Sequence, residues 1–306
     1  MNMIEKLNSS FKYVVENAEH VKINYDKIDK MIDEIENSET KFWLQSNPFG
    51  LFDMTYEDII NFLLINHTIG YCFWGEPKWT IESESGPLDG SYAMMYVLVN
   101  RYKKNHDFNM TYEEFKEMLK GNVEIPLLEN RYSRLSMMNK ILVGRSFFDM
   151  VKNMASDSEL LEFIVEKFPY FEDISEYKGE KVYFYKLAQL LTSDILHVME
   201  LKGGKNVDYS HLVGCADYKI PQVMRCYGML EFDHELEEKV DSKIEIPENS
   251  EEEIEIRASD LKVIDYIYNK TNGKYSKMAI NDFIWLLGQD KSKINKPYHR
   301  TLTDHY

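Results

Sequence analysis

With 306 residues, 44% of them hydrophobic and 29% charged, the chain is long enough to bury a substantial core and has the composition of a globular protein. Its formal net charge of −16 argues against a large nucleic-acid partner, since proteins that bind such polymers usually carry a basic surface. A small anionic ligand stays compatible with this charge if a few basic side chains converge locally.

The cysteines and the hydropathy pattern bear on the compartment. Cys72, Cys215 and Cys226 are scattered and form no C-x-x-C pair, which predicts reduced thiols rather than a disulfide framework or a structural zinc site. No apolar run approaches the roughly 20 residues that a membrane span needs. The first residues lack the continuous apolar segment of a signal peptide. We therefore expect a cytoplasmic protein with no membrane partner.

Helical periodicity dominates the chain from its beginning. Apolar residues recur at spacings of three and four, as in the series that starts with Ile4, Leu7 and Phe11. This pattern predicts helices over residues 3–17, 55–73, 88–104, 111–120, 127–143, 146–154, 157–168, 181–200, 219–229, 259–270 and 277–287. Extended segments are predicted only over residues 41–44, 79–81 and 253–256.

The acidic residues are concentrated in one part of the chain. Twelve acidic and two basic residues lie between positions 231 and 256, so this stretch carries −10 of the net charge. We predict a surface loop near residues 241–253 within it. No repeat or low-complexity linker divides the sequence, and the helices after this loop are too few for an independent core. The fold class is therefore predicted as mainly α, with a single domain over residues 1–306 and a few short strands.

Residues 70–79, Gly-Tyr-Cys-Phe-Trp-Gly-Glu-Pro-Lys-Trp, place four aromatic rings and one carboxylate where a predicted helix ends. Such rings can stack on a nucleobase, and Glu76 can accept hydrogen bonds from ring N–H groups. The alternative is that the rings close the helix end against the core. Local spacing leaves both interpretations open.

The helix predicted over residues 181–200 carries a polar group inside an apolar sequence. Lys186, Gln189, Ser193 and Asp194 are neighbours on it, because residues three and four apart share a helix face. These side chains either line a site or form a stripe that faces solvent.

Two further segments combine charge with a special position. Asp217 precedes a helix with Pro221 in its first turn, so it is expected to cap that helix. A cap also fixes the rotamer of a carboxylate, and catalysis is compatible with it. The run over residues 296–306, Lys-Pro-Tyr-His-Arg-Thr-Leu-Thr-Asp-His-Tyr, is either frayed like most termini or folds back to offer donors to a phosphate.

Common signatures of catalysis and metal binding are absent. The sequence has no G-x-G-x-x-G, P-loop, H-E-x-x-H or G-x-S-x-G motif, and its eight histidines show no metal-ligand spacing. The residues by themselves therefore predict a helical protein with aromatic and carboxylate sites.

Taken in order, several short segments resemble the queuosine salvage protein family, the queuosine 5′-phosphate N-glycosylase/hydrolases. The resemblance runs from about residue 40 to the C-terminus, and its joint order and spacing make coincidence improbable. The segments that match the family are residues 71–74 (YCFW), 125–131 (IPLLENR), 168–173 (FPYFED), 186–189 (KLAQ) with Asp194, 216–222 (ADYKIPQ), 255–258 (EIRA) and 297–306.

The chain departs from the family pattern at a few positions. The family usually has Asp and Asn where His67 and Gly70 stand here, and its Lys-Arg-Ala-Gln and Asp-Tyr-Arg segments have Leu187 and Lys219 in place of the arginines. Asp217 and Lys186 are retained. Their retention favours an enzyme over a protein that only binds a nucleotide, because binding alone does not require the carboxylate of Asp217 beneath the ribose.

The resemblance implies a helical fold similar to helix-hairpin-helix DNA glycosylases. It also implies hydrolysis of queuosine 5′-phosphate to queuine and ribose 5-phosphate for tRNA-queuosine salvage, with no metal and no other cofactor. The expected partner is this small-molecule nucleotide and no nucleic-acid polymer, while the oligomeric state stays open. Two alternatives are a glycosylase that acts on another nucleotide or nucleoside, and a non-catalytic queuine or nucleotide binder.

In such a reaction Asp217 is expected to be the catalytic carboxylate, which stabilises the oxocarbenium-like ribose and orients the attacking water. The residues expected to bind the base are Phe73, Trp74, Glu76 and Tyr218. Those expected to bind the ribose and the phosphate are Lys186, Gln189, Asp194, Tyr298 and His299. Arg257 is expected to hold the Glu-rich segment in place, with a contact to the phosphate as the alternative.

Overall fold

The computed structural model describes residues 2–39, 41–46 and 49–306, and in this part of the chain it confirms the mainly α class. Helices form most of the structure. They are α1 (Met3–Glu16), α2 (Ile28–Glu36), α3 (Tyr56–Ile69), α4 (Gly90–Asn105), α5 (Tyr112–Met118), α6 (Leu128–Leu142), α7 (Phe147–Val151), α8 (Asp157–Lys167), α9 (Lys186–Leu201), α10 (Lys219–Cys226), α11 (His234–Asp241), α12 (Glu251–Lys270) and α13 (Lys277–Leu287).

The strands are short and pair two by two. Each pair is antiparallel and leaves most of the core to the helices. The pairs within the described residues are β1 (Val21–Ile23) with β6 (Leu230–Phe232), β2 (Thr80–Ser83) with β3 (Gly86–Asp89), and β4 (Ile174–Tyr177) with β5 (Glu180–Tyr183). None of the helices described here has both the length and the apolar character required to cross a bilayer.

Side-chain caps set the starts of several helices. Thr55 accepts a hydrogen bond from the backbone N–H of Asp58 at 3.1 Å, so α3 begins where the sequence predicts. Ser276 does the same for α13 through the N–H of Ala279 at 3.1 Å. Loss of one such cap costs about 1 kcal/mol.

Helices α3 and α9 pack against each other at the centre of the larger hydrophobic cluster, and both are buried on nearly every side. A helix with no solvent-facing side has no exposed place for polar side chains. Lys186, Gln189, Ser193 and Asp194 are accordingly all buried. The alternative of a solvent-facing stripe on α9 is therefore wrong.

A second hydrophobic cluster is built around α2, α10, α12 and α13. It includes Ile28 and Met31 of α2, a helix that the sequence prediction missed, as it also missed α11. The two clusters meet along α12 and α13, which contribute residues to both. The site described below lies along this junction.

The segment 253–256, predicted as extended, is helical and lies in the first half of α12. Its alternation of Glu and Ile is misleading because both acidic residues are buried. Glu255 accepts hydrogen bonds from the backbone N–H groups of His20 and Val21 at 2.7 and 3.0 Å. Because α12 starts at Glu251, the acidic loop predicted over 241–253 is confined to residues 242–250.

Two further differences concern short segments. Residues 41–44 do not form the predicted strand, because a 3₁₀ helix runs from Trp43 to Ser46. The strand predicted over 79–81 is confirmed in part by β2. The helix predicted over 181–200 starts only at Lys186, because the residues before it pair as β5.

Candidate active site

A pocket opens between α3, α9, α13 and the start of α10, and the C-terminal segment closes one side. Aromatic rings form much of its wall. Those among the described residues are Trp43, Tyr71, Phe73, Tyr92, Tyr218, Trp285, Tyr298 and Tyr306. The ring centroids of Tyr218 and Tyr298 lie 4.9 Å apart, and those of Trp43 and Trp285 lie 5.9 Å apart. Walls of this kind suit a planar ligand.

Asp217 lies in the wall of the pocket with one carboxylate oxygen engaged and the other free. Its Oδ1 accepts hydrogen bonds from the backbone N–H groups of Lys219 and Ile220 at 2.8 and 2.9 Å. Its side chain therefore caps the start of α10 as predicted, although the N-cap position is Tyr218, one residue later. Its Oδ2 makes no hydrogen bond to the described residues, so it is available to a ligand. Burial raises the pKa of Asp217, and the charge of Lys186 and the two N–H groups oppose that shift.

The backbone before Asp217 is held tightly. The N–H of Cys215 donates to Asn281 Oδ1 at 2.8 Å, and Arg257 Nε donates to the carbonyl of Ala216 at 3.3 Å. Gly214 has φ +122°, and a Cβ there would lie 2.8 Å from Ile264 Cδ1. This segment therefore requires glycine both for its backbone conformation and for its close approach to α12.

Lys186 begins α9 and lines the pocket near Asp217. Its backbone N–H donates to Asp173 Oδ2 at 3.0 Å, and Arg257 Nη2 lies 2.6 Å from the same oxygen. Its ammonium group makes no hydrogen bond or ion pair to the described residues. The charge of Lys186 lowers the pKa of Asp217 against the larger effect of burial.

Arg257 joins the two segments that carry Asp217 and Lys186. It is 1% exposed, and besides its contacts to Ala216 and Asp173 its Nη1 lies 3.4 Å from Glu253 Oε1. The neighbouring carboxylates raise the pKa of Arg257 against the effect of burial. The sequence prediction that Arg257 holds the Glu-rich segment is confirmed by this contact, although the contacts to the pocket segments were not foreseen.

A buried histidine and carboxylate pair stands at another part of the wall. His67 lines the pocket, and its Nε2 lies 2.7 Å from Oδ2 of Asp194. The indole N–H of Trp43 donates to Oδ1 of Asp194 at 2.9 Å. Burial raises the pKa of Asp194 well above its usual range and lowers the pKa of His67 to about 3. Burial therefore disfavours the charged form of each group.

Asp282 is a second acidic residue of the wall that the sequence analysis did not single out. Its Oδ2 accepts from the backbone N–H of Trp43 at 3.0 Å, and its Oδ1 accepts from the side-chain amide of Asn281 at 3.1 Å. Burial raises the pKa of Asp282 to about 7, and the nearby Asp194 adds to this effect. The available signal was weak: Asn281 and Asp282 are a polar pair inside an otherwise apolar helix.

Lysine side chains are concentrated at the pocket in an otherwise acidic protein. Lys78, Lys219 and Lys291 line it together with Tyr298, and the ammonium groups of Lys78 and Lys219 lie 5.9 and 5.5 Å from the centre of the Tyr298 ring. Burial and the charge of Lys78 lower the pKa of Lys219. We call Lys78, Lys219 and Lys291 the lysine rim. It supplies the local positive charge that an anionic ligand requires.

The C-terminal run folds back onto the protein, as one of the two sequence alternatives proposed. The backbone N–H of Cys72 donates to the carbonyl of Tyr306 at 2.7 Å, and Arg134 pairs with Asp304 at 2.8 Å. Tyr306 donates its hydroxyl to Glu253 at 2.8 Å and lines the pocket. The frayed alternative is wrong for this segment.

Of the residues predicted for the site, Phe73, Lys186, Asp217, Tyr218 and Tyr298 come together in the pocket wall. The other five lie outside the lining: Trp74, Glu76, Gln189, Asp194 and His299. Asp194 lies directly behind the wall, where it holds His67. The remaining four are engaged by other parts of the protein.

Glu76 is far more exposed than a base-contacting carboxylate would be. It is 57% exposed and pairs with Lys243 at 2.7 Å and with Arg300 at 2.6 Å. These hydrogen bonds lower its pKa to about 2. Trp74 donates its indole N–H to the carbonyl of Thr301 at 2.9 Å. In this arrangement both residues fasten the C-terminal segment, and neither lines the pocket.

Gln189 and His299 are buried but point to structural partners. The amide of Gln189 donates to the carbonyl of Phe184 at 2.8 Å, and its oxygen accepts from the N–H of Val213 at 2.9 Å. His299 Nε2 lies 3.3 Å from the hydroxyl of Tyr306. Gln189 therefore fixes the segment before Asp217, and His299 supports a pocket residue from behind.

Three groups of His and acidic side chains in the described residues are compact enough to share an ion. None of them includes a residue that lines the pocket. They are His20 with Glu251 and Glu255, Asp157 with Asp208 and His211, and Glu248 with Asp304 and His305.

The fold and the pocket define a mainly helical protein whose pocket combines aromatic rings, the lysine rim and one carboxylate oxygen without a partner among the described residues. The sequence profile of the queuosine salvage protein family matches residues 51–306, so the chain belongs to that family. The resemblance seen in the sequence is thereby confirmed.

Individual relatives agree with this assignment. The chain is 30% identical over 265 residues to a queuosine 5′-phosphate N-glycosylase/hydrolase of Sphaerobacter thermophilus, with 82% of each chain covered. Proteins with the same name from Bos taurus and Dictyostelium discoideum are 28% and 25% identical. The alignment covers 85% of this chain and 84% of the bovine protein, and all of both chains for Dictyostelium.

Proposed function

We propose that this protein hydrolyses the N-glycosidic bond of queuosine 5′-phosphate and releases queuine and ribose 5-phosphate. The observation that carries the proposal is the free Oδ2 of buried Asp217 in a pocket that also holds aromatic rings and the lysine rim. The names of the relatives support the same reaction. The released base then serves tRNA-queuosine salvage, and we place the activity in the cytoplasm.

Asp217 acts on the sugar. Breaking the N-glycosidic bond develops positive charge at C1′ of the ribose, and a carboxylate oxygen beneath it stabilises that charge and orients the attacking water. The two N–H groups at Oδ1 fix the rotamer, so Oδ2 is presented without reorganisation. The charge of Lys186 lowers the pKa of Asp217 and so favours the ionised carboxylate, against the larger effect of burial.

The phosphate and the base are bound by different residues of the pocket. The lysine rim with Tyr298 takes the 5′-phosphate, so binding energy gained away from the reacting bond holds the ribose over Asp217. Phe73 and Tyr218 stack on the 7-deazaguanine ring. Lys186, which was predicted to bind the phosphate, serves Asp217 in this arrangement.

The test is an assay of base release. Purified protein is incubated with queuosine 5′-phosphate, queuosine and GMP, and free base is followed by chromatography. Release from queuosine 5′-phosphate alone is expected. Release mainly from GMP or queuosine would instead establish a glycosylase of another specificity, and tight binding without release would establish a binding protein.

The variant Asp217→Asn separates catalysis from binding. We expect its kcat to fall at least about a thousandfold, because the amide is neutral at the developing cation. Its affinity for queuine is expected to stay within about threefold, since the aromatic wall is unchanged. Unchanged turnover would remove Asp217 from the mechanism.

A further inference from the structure

We propose that His67, oriented by Asp194, is the acid that protonates the departing base, an inference that rests on the function proposed above. His67 is only 2% exposed, yet it lines the pocket. Its Nε2 is occupied by Asp194 at 2.7 Å, whereas its Nδ1 makes no hydrogen bond to the described residues. Nδ1 is thus the ring nitrogen left for a ligand.

The contacts of Asp194 determine which ring nitrogen of His67 carries the proton. Trp43 donates its indole N–H to Oδ1, so Oδ1 acts as an acceptor and Oδ2 faces the imidazole. Burial favours the neutral form of both partners, because it raises the pKa of Asp194 and lowers that of His67. A protonated Asp194 donates from Oδ2 to Nε2, and the single N–H of the neutral ring is then at Nδ1. The pocket wall therefore presents an N–H donor.

This arrangement supports a complete proton balance. When the bond between C1′ and the base nitrogen breaks, its electron pair leaves with the base, which accepts the Nδ1 proton of His67. The proton of Asp194 moves to Nε2, so the imidazole stays neutral and Asp194 becomes a carboxylate held by Trp43. At the sugar, water oxygen bonds to C1′ and its proton goes to Asp217. Asp217 thus gains the proton that Asp194 loses, and both carboxyl groups re-equilibrate with solvent when the products leave.

Asp282 is the competing acid, since it also lines the pocket and its pKa is raised to about 7. Both of its oxygens already accept hydrogen bonds, from the backbone N–H of Trp43 and the amide of Asn281. His67 differs in having a nitrogen with no partner among the described residues and an acid behind it that replaces the donated proton. The geometry therefore favours His67.

The decisive experiment varies the leaving group. Wild-type protein and the His67→Phe, Asp194→Asn and Asp282→Asn variants are assayed on queuosine 5′-phosphate and on nitrophenyl riboside 5′-phosphate, whose nitrophenolate leaves without an acid. For His67→Phe we expect kcat on queuosine 5′-phosphate to fall about 10²–10⁴-fold, with kcat on the nitrophenyl substrate within about threefold. Asp194→Asn is expected to show the same selective loss, at least about tenfold, because an amide cannot supply a proton.

A control comes from a second contact between a histidine and a buried carboxylate. His211 Nδ1 lies 2.7 Å from Asp157 outside the pocket, so His211→Gln is expected to leave both substrates unaffected. Equal losses on both substrates for His67→Phe, or a selective loss confined to Asp282→Asn, would overturn the proposal. No base release by the wild type would instead refute the proposed function itself.

Nitrogen-15 NMR of histidine-labelled protein tests the proton position without reference to turnover, and the signals of His67 are assigned by their loss in His67→Phe. We expect a protonated Nδ1 and an unprotonated Nε2 in the free protein. Asp194→Asn is expected to keep this tautomer. The indole N–H of Trp43 donates to the oxygen of the introduced amide, so the amide N–H donates to Nε2 of His67. An unprotonated Nδ1 in the wild type would overturn the assignment even if the nitrophenyl substrate proves too poor to measure.

Discussion

Replacing Arg257 with methionine should destabilise the whole protein and also disable the pocket. Arg257 is almost fully buried and contacts Asp173 at 2.6 Å, Glu253 at 3.4 Å and the carbonyl of Ala216 at 3.3 Å. Methionine fills a similar volume but leaves two buried carboxylates without their cation. Breaking a buried pair in this way costs about 3–5 kcal/mol.

The assay is urea unfolding, compared with the exposed Arg145→Met as a control. For an m-value of about 3 kcal/mol/M, a loss of about 4 kcal/mol lowers the unfolding midpoint by more than about 1 M. The exposed substitution should stay within about 0.5 kcal/mol. Arg257→Lys is expected to recover only part of the loss, since one ammonium group cannot make three separated contacts.

A double variant identifies the cause. If the unpaired carboxylate is the main cost, adding Asp173→Asn to Arg257→Met should restore at least about 1 kcal/mol of the lost free energy of unfolding. A loss below about 1 kcal/mol for Arg257→Met alone would refute the reasoning, because the buried carboxylates would then tolerate solvent or protonation. Base release by Arg257→Met should also fall when it is measured without urea, at a temperature where the variant is folded. The reason is that the segments that carry Asp217 and Lys186 both depend on Arg257.

Three further outcomes are expected. Lys219→Ala should raise KM for queuosine 5′-phosphate about tenfold or more and leave KM for queuosine unchanged, and a matching rise for the nucleoside would exclude a phosphate contact. Because the pKa of Asp282 is raised in the folded state, protonation of Asp282 stabilises the fold. This contribution to stability is fully present below about pH 4 and is lost as the pH rises through about 7. The free energy of unfolding of Asp282→Asn, measured against wild type, should therefore increase by up to about 1.4 kcal/mol per pH unit over that window, and a flat difference would contradict it. Gly214→Ala should destabilise the fold by about 1–3 kcal/mol and lower kcat, because its Cβ would meet Ile264 at 2.8 Å in a positive-φ conformation.

Local chemistry made Asp217 predictable, because capping depends on residues within three positions and both of its backbone bonds are of that kind. The periodic helices were predictable for the same reason, and α13 has the predicted bounds. Glu76 shows the limit of such reasoning. It lies next to an aromatic cluster, but the cations that engage it come from positions 243 and 300, which no local pattern reveals.

The parts of the site that were missed depend on contacts between distant segments. His67 and Asp282 are polar residues inside apolar helices, and their sequence neighbours do not tell whether a pocket or a protein partner faces them. Lys78 and Lys291 are separated by more than two hundred positions and meet only at the pocket. The alternation of Glu and Ile over residues 253–256 predicted a strand with its acidic side chains in solvent. That prediction is wrong because Glu253 and Glu255 are buried, where distant hydrogen-bond donors satisfy their carboxylates.

The network around Arg257 divides the pocket into a floor and a rim that tolerate substitution very differently. Residues of the floor, such as Asp217 and Lys186, belong to segments that several buried contacts hold at once, so a change there is costly in stability as well as chemistry. Lys78 and Lys291 on the rim are partly or fully exposed, and exposed substitutions usually change stability by less than about 0.5 kcal/mol. On the function proposed above, substitutions of Lys78 and Lys291 can therefore change which anionic group is accepted while the reaction on the floor is preserved, which makes the rim a suitable starting point for redesigning substrate choice.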